Sequence, residues 1–133
     1  MKKTISFAVA VILCISMCAC VNKIGETPEL ATTPVKEAVQ GKWAYKFQAQ
    51  NNPYGQNGDQ MIEIITLYSG GTGEQHILNQ TRNKQYKIGD VFWDVKDDAI
   101  NISLPDEGIS GFSYTSSPRK LVKFKGNIEY IPY

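Results

Sequence analysis

The sequence predicts an all-β fold, a single small antiparallel barrel of about eight strands in up-and-down order, and three observations predict it. Runs of β-branched, aromatic and other apolar residues recur from Gly41 to Tyr133. Gly, Asn, Asp, Ser or Pro breaks them every several residues, which is the rhythm of strands and turns. Within several runs apolar and polar residues alternate, so one face meets a core and the other meets solvent. All connections but one are short, which favours antiparallel neighbours, and closing such a meander removes its exposed edges.

The first strand carries Trp43, Tyr45 and Phe47 in alternation with Lys42 and Lys46. Met61 to Tyr68 and Gly73 to Leu78 form a hairpin through Ser69-Gly70-Gly71-Thr72, whose glycines can take the positive φ that tight turns require. Both alternating sets of Met61 to Tyr68 contain apolar residues, so its inward face stays open. Val91, Trp93 and Val95 share one face of the next clear strand, and Lys96-Asp97-Asp98 turns the chain. Ile100, Ile102 and Leu104 then face inward, with Asn101 and Ser103 outward. Ile109 to Thr115, Arg119 to Lys125 and Ile128 to Pro132 complete the set. The expected core is Trp43, Tyr45, Phe47, Trp93, Phe112 and Tyr114. Eight-stranded barrels are either packed solid or hold one small ligand, and composition does not choose between them.

Ahead of this domain the 133-residue chain opens with Lys2 and Lys3, an apolar stretch from Ile5 to Met17, and small residues around Ala19. That is the layout of a secretory signal at residues 1–19, and the apolar run is too short for a spanning helix with proper flanks. Cys14, Cys18 and Cys20 all lie in or beside this segment, so the exported part has no cysteine pair for a disulfide or a thiolate metal site. Residues 20–39, with Pro28 and Pro34 and no sustained apolar periodicity, read as a tether. One helical turn over Val35 to Gln40 is compatible with them. Residues 40–133 form the domain, enough for one modest core. Removing Lys2 and Lys3 leaves 12 basic against 13 acidic residues, so there is no electrostatic case for nucleic acid.

Met17-Cys18-Ala19-Cys20 resembles a bacterial lipobox, which implies that Cys20 is acylated, with Cys18 as second choice. Acyl chains bury roughly 0.8 kcal/mol per methylene, so a multiply acylated cysteine anchors a chain to a membrane without help from protein surface. Gly41-Lys42-Trp43, then Thr66 to Gly73, then Phe92-Trp93-Asp94-Val95 before a turn, resemble the lipocalin-like domains of Bacteroidetes lipoproteins over most of residues 41–125. The resemblance implies that Trp43, entered through Gly41, closes one end of an eight-stranded barrel. It also implies a bacterial envelope location at the outer membrane and an interior or open end that takes a small apolar molecule. In such families a basic residue near the last strand packs on the tryptophan; no Arg follows Ile128 here, and Arg119 is the candidate.

Regular alternation gathers the loops 49–60, 79–84, 105–108 and 126–127 at the open end. The first is long and polar, with Tyr54 as its one aromatic, and reads either as a binding lid or as a plain surface loop. Tyr54, Tyr45, Phe47 and Trp93 are the candidate ligand contacts. A partner protein is the alternative, favoured if Tyr130, Ile131 and Tyr133 are exposed.

Catalysis is not expected. His76, the single histidine, has no cysteine or serine motif beside it. Asp94, Asp97 and Asp98 surround a turn but lack calcium-loop spacing, so no metal is expected. Asp90, Glu63 and Glu107 have no separation that sequence can supply for glycoside chemistry. Gly70-Gly71-Thr72-Gly73 lacks the lysine and helix of a phosphate loop, and no cofactor is expected. Asn79-Gln80-Thr81 and Asn101-Ile102-Ser103 match glycosylation sequons of little weight in this setting.

Overall fold

The computed structural model describes residues 34–133; the expected signal, Cys18, Cys20 and the tether up to Thr33 lie outside the described residues. A short helix α1 (Val35–Ala38) leads into eight strands: β1 (Gly41–Gln48), β2 (Gln60–Leu67), β3 (Thr72–Asn79), β4 (Lys84–Lys96), β5 (Ala99–Leu104), β6 (Gly108–Ser116), β7 (Arg119–Lys123) and β8 (Ile128–Pro132). Each strand pairs antiparallel with the next, and β1 pairs with β8, so the sheet is a closed up-and-down barrel. The seam is short, joined through Trp43 opposite Pro132 and Ala44 opposite Ile131.

Alternation decides what enters the barrel. The interior holds Trp43, Ile65, Leu67, Val91, Trp93, Ile100, Ile102, Leu104, Phe112, Leu121 and Tyr130, all buried. Burial of each large apolar side chain contributes about 1.5–3 kcal/mol before the cost of ordering the chain. Phe112 meets Tyr130 edge-on at 5.7 Å between ring centroids, and Tyr114 meets Trp43 at 6.2 Å. Tyr45, Phe47 and Tyr114 are only half-buried. Val39, expected in the tether, is fully buried and accepts the Trp43 indole hydrogen bond at 2.7 Å.

The open question of β2 resolves by register. Trp43 pairs with Ile65 and Tyr45 with Glu63, so Met61, Glu63, Ile65 and Leu67 face inward. Ile62 and Ile64 therefore lie on the opposite face, in a second apolar cluster with Ala44 and Leu78. β4 begins well before the Val91 signal. A bulge falls where Gln75 pairs with Gly89 but His76 pairs with Lys87, leaving Ile88 as the extra residue. The inward set therefore changes phase at Ile88, which breaks the alternation on which a strand is read. β7 is shorter than expected, because the chain leaves it at Phe124 for a 3-10 turn over Lys125–Asn127.

Two turns explain their residues. Asp97 and Asp98 both have positive φ, 53° and 65°, in a two-residue hairpin between paired Lys96 and Ala99. Backbone geometry accounts for the acidic pair, since Asp tolerates that region. At the β2–β3 turn, a Cβ on Gly73 would lie 2.0 Å from the Thr66 carbonyl oxygen, so only glycine fits beside β2.

Candidate functional site

Three parts of the barrel carry chemistry beyond packing. The first is its outer wall. Register aligns Phe92 with Ser103 and Ser103 with Ile109, and one row on aligns Asp94 with Asn101 and Asn101 with Gly111. Phe92 and Ile109 are 58% and 76% exposed, large apolar posts on either side of the small Ser103. Strands lie about 4.8 Å apart, so the posts stand about 10 Å from one another. A groove of about 500 Å³ runs over this wall, lined by Gly71, Phe92, Asp94, Asn101, Ser103 and Ile109 with Trp93 beneath. Asn101 Nδ2 donates to Asp94 Oδ1 at 3.3 Å along its floor.

The second part is the open end. Asp59, on the loop between β1 and β2, is buried. Its Oδ2 accepts from Asn79 Nδ2 at 2.9 Å, Arg82 Nε at 2.7 Å and the Gln56 amide at 2.9 Å. The Asn79 hydrogen bond first, then Arg82, holds the carboxyl down to about 2. Asn79 also donates to the Tyr54 carbonyl at 3.1 Å, and its own Oδ1 accepts the Arg82 amide at 3.0 Å. Arg82 Nη2 reaches Gln56 Oε1 at 2.6 Å. Gly55 lies against Met61 and Asn79 so closely that a Cβ would come within 3.0 Å of both. The loop is thus fastened over the barrel mouth, where the Tyr54 and Tyr86 rings lie 5.4 Å apart. Sequence reasoning missed Asp59 and Arg82. Asn79, read only as a sequon, is a fully buried tie.

The third part is inside, toward the open end. Glu63 Oε2 accepts from Tyr130 Oη at 3.1 Å and Gln75 Nε2 at 3.0 Å. Burial pushes the Glu63 carboxyl above its usual range, and burial followed by the neighbouring Glu63 raises the Tyr130 hydroxyl. Lys123 is buried and bonded to Glu107 at the rim. The strand periodicity gave no sign of this cluster, because each member is one polar residue in an otherwise apolar inward set.

The candidate ligand contacts do not converge. Tyr45 and Phe47 stack at 5.7 Å on the inner wall, and Tyr54 sits in the loop over the mouth. Trp93 belongs to the other end, where its indole donates to the Tyr68 and Thr72 carbonyls at 3.0 Å each. The four therefore do not form one pocket. Arg119 places its guanidinium 5.1 Å from the Trp43 ring centroid, at the end entered through Gly41. Of the C-terminal residues whose exposure would favour a partner protein, Ile131 and Tyr133 are exposed, whereas Tyr130 is buried because its place in the alternation faces the core. Asp90 pairs with Lys87 on the outer wall at 3.0 Å, away from the inward Glu63. His76 lies 3.5 Å from Glu74 on that outer wall.

Fold and site together define a closed eight-stranded antiparallel barrel with a grooved outer wall and a fastened mouth. In comparisons with family models, curated proteins and solved structures, nothing matched the chain.

Proposed function

We propose that the protein is a non-enzymatic interaction module of a bacterial envelope, tethered to the outer membrane through a lipid on Cys20. In this reading the barrel is a rigid support, and its outer wall across β4, β5 and β6 docks a partner protein. The observation that carries it is the groove between the exposed posts Phe92 and Ile109. Exposed apolar surface rimmed by polar groups marks interaction sites, and aromatic residues are enriched there. A closed barrel offers little free edge for strand addition, so recognition falls to side chains. A partner suited to this wall inserts an apolar side chain between Phe92 and Ile109 and donates a hydrogen bond to Asp94.

A carrier of a small apolar ligand is the second reading, favoured by the inward Tyr45 and Phe47, which remain half-buried. That part of the interior also holds Gln75, whose buried Oε1 an apolar cargo would leave unpaired, next to the carboxylate of Glu63. We therefore place recognition on the outer wall.

The test is site-specific photo-crosslinking in the cells that make the protein. Probes at Phe92 and at Ile109 are expected to capture the same protein, and a probe at Lys125 on the open-end rim is not. Equal capture from all three positions, or none from Phe92 and Ile109, would sink the reading.

A further inference from the structure

The closed-end half of the interior is packed with apolar side chains, whereas the half toward the mouth adds Glu63, Gln75 and Lys123 and the rings of Tyr45 and Tyr130 to its apolar cluster of Ala49, Met61 and Ile77. Glu63 uses one carboxylate oxygen, Oε2, for both Tyr130 and Gln75. Its other oxygen, Oε1, has no hydrogen-bond partner among the described residues, and Glu63 is only partly buried although it points inward. Gln75 is 7% exposed, and its Oε1 is buried with no partner at all. Turning the amide over would aim this oxygen at the Glu63 carboxylate, so the donation from Nε2 fixes the orientation. An unpartnered buried acceptor costs about 1–3 kcal/mol unless something donates to it.

Charge leads the same way. The ionisable groups around this space are Glu63 on β2, Lys123 on β7, Glu107 in the β5–β6 loop, Tyr130 on β8 and Tyr45 on β1. Lys123 acts on the Glu63 charge through space but gives its hydrogen bond to Glu107, so no cation donates to the Glu63 carboxylate. Tyr45 lies 5.6 Å from Tyr130 and stacks on Phe47, so aromatic rings flank the carboxylate. An anion would meet the free oxygens of Glu63 and Gln75, since Lys123 and Tyr130 already donate to Glu107 and Glu63. A hard divalent metal takes six or more oxygens, and this place offers two free ones. A primary ammonium fits: it carries a positive charge, donates three hydrogen bonds, and is attracted by aromatic faces.

We propose that the inner wall around Glu63 is a binding site for the ammonium group of a small primary amine, held by Glu63 Oε1 and Gln75 Oε1 beside the rings of Tyr45 and Tyr130. This site is separate from the outer groove and stands or falls independently of it. The raised Glu63 carboxyl accords with a site in which an incoming ammonium competes with the proton.

The experiment is calorimetric titration of the full chain, in non-ionic detergent at neutral pH, with n-butylammonium chloride. Sodium butyrate and tetramethylammonium chloride are the controls. Saturable binding of n-butylammonium is expected, with none of butyrate and weaker binding of tetramethylammonium, which has no N–H to donate. Glu63→Gln and Gln75→Leu should each weaken n-butylammonium by about tenfold or more, as loss of a charge-assisted or buried hydrogen bond implies. Phe92→Asp should leave it unchanged. Near-UV circular dichroism checks that each variant is folded; should Glu63→Gln fail, Gln75→Leu decides. Absence of saturable n-butylammonium binding, equal binding of tetramethylammonium, or undiminished affinity in a folded Glu63 or Gln75 variant would overturn the proposal.

Discussion

The Arg119 guanidinium sits 5.1 Å from the centroid of the Trp43 ring and donates to the Ala38 carbonyl at 2.9 Å. One side chain therefore ties β7 to the tryptophan of β1 and to the helix that precedes it. The indole is fixed from within by its own hydrogen bond to Val39. Arg119→Ala is expected to cost about 1 kcal/mol, read as a lower melting temperature, with a shift in Trp43 emission. Arg119→Lys should recover part of the loss, because an ammonium keeps the charge but not the planar contact.

Gly73→Ala drives a methyl group onto the Thr66 carbonyl, 2.0 Å from where the Cβ would stand. The neighbouring backbone of β2 must shift for the side chain to fit, and the expected cost is about 3 kcal/mol in denaturant unfolding. Gly70→Ala, where a Cβ meets nothing within 4 Å, should cost less and only through its positive φ.

The depressed Asp59 carboxyl makes the mouth sensitive to acid. Its ionised form is favoured in the folded protein, so its contribution is present above the ordinary value of 3.8 and lost as pH falls through about 2. Hydrogen exchange should report falling protection of the Gln56 amide over that window, because this amide donates to Asp59. Asp59→Asn should lower the protection already at neutral pH.

Glu63 has the opposite sign. Burial raises its carboxyl, so the folded state holds the proton more tightly than the unfolded chain does. Its stabilising effect is full below the ordinary value of 4.5 and is lost as pH rises through the folded value. The melting temperature of Glu63→Gln is therefore expected to gain on that of the parent as pH rises above 4.5, with the difference constant below that value. Melting curves of both proteins across pH test this.

Phe92→Asp separates docking from folding. The ring is 58% exposed on the outer wall, so its loss should change stability by no more than about 0.5 kcal/mol. The same substitution should abolish capture of the partner by a photo-crosslinker at Ile109.

The local sequence carries the parts of this protein that depend on neighbours along the chain. The alternation of Val91, Trp93 and Val95, and of Ile100, Ile102 and Leu104, puts all six on the inner wall, with five of them in the buried core and Val95 packed against it. Glycine at 70 and 71 and the acidic pair at 97 and 98 mark turns because few residues accept positive φ. Short connections then leave antiparallel neighbours as the economical order, which the barrel has. Pairing across the closed sheet decided the rest. Both faces of β2 are apolar, so only its register with Trp43 and Tyr45 turns Glu63 inward and Ile62 outward. The bulge at Ile88 shifts the phase of β4, and no local pattern announces it. Asp59 meets Asn79 and Arg82, and Glu63 meets Gln75 and Tyr130, across separations of 12 to 67 residues. A polar residue in a strand has no intrinsic preference for a partner so far along the chain. Its partner is chosen by strand register and barrel closure, and these are properties of the whole sheet.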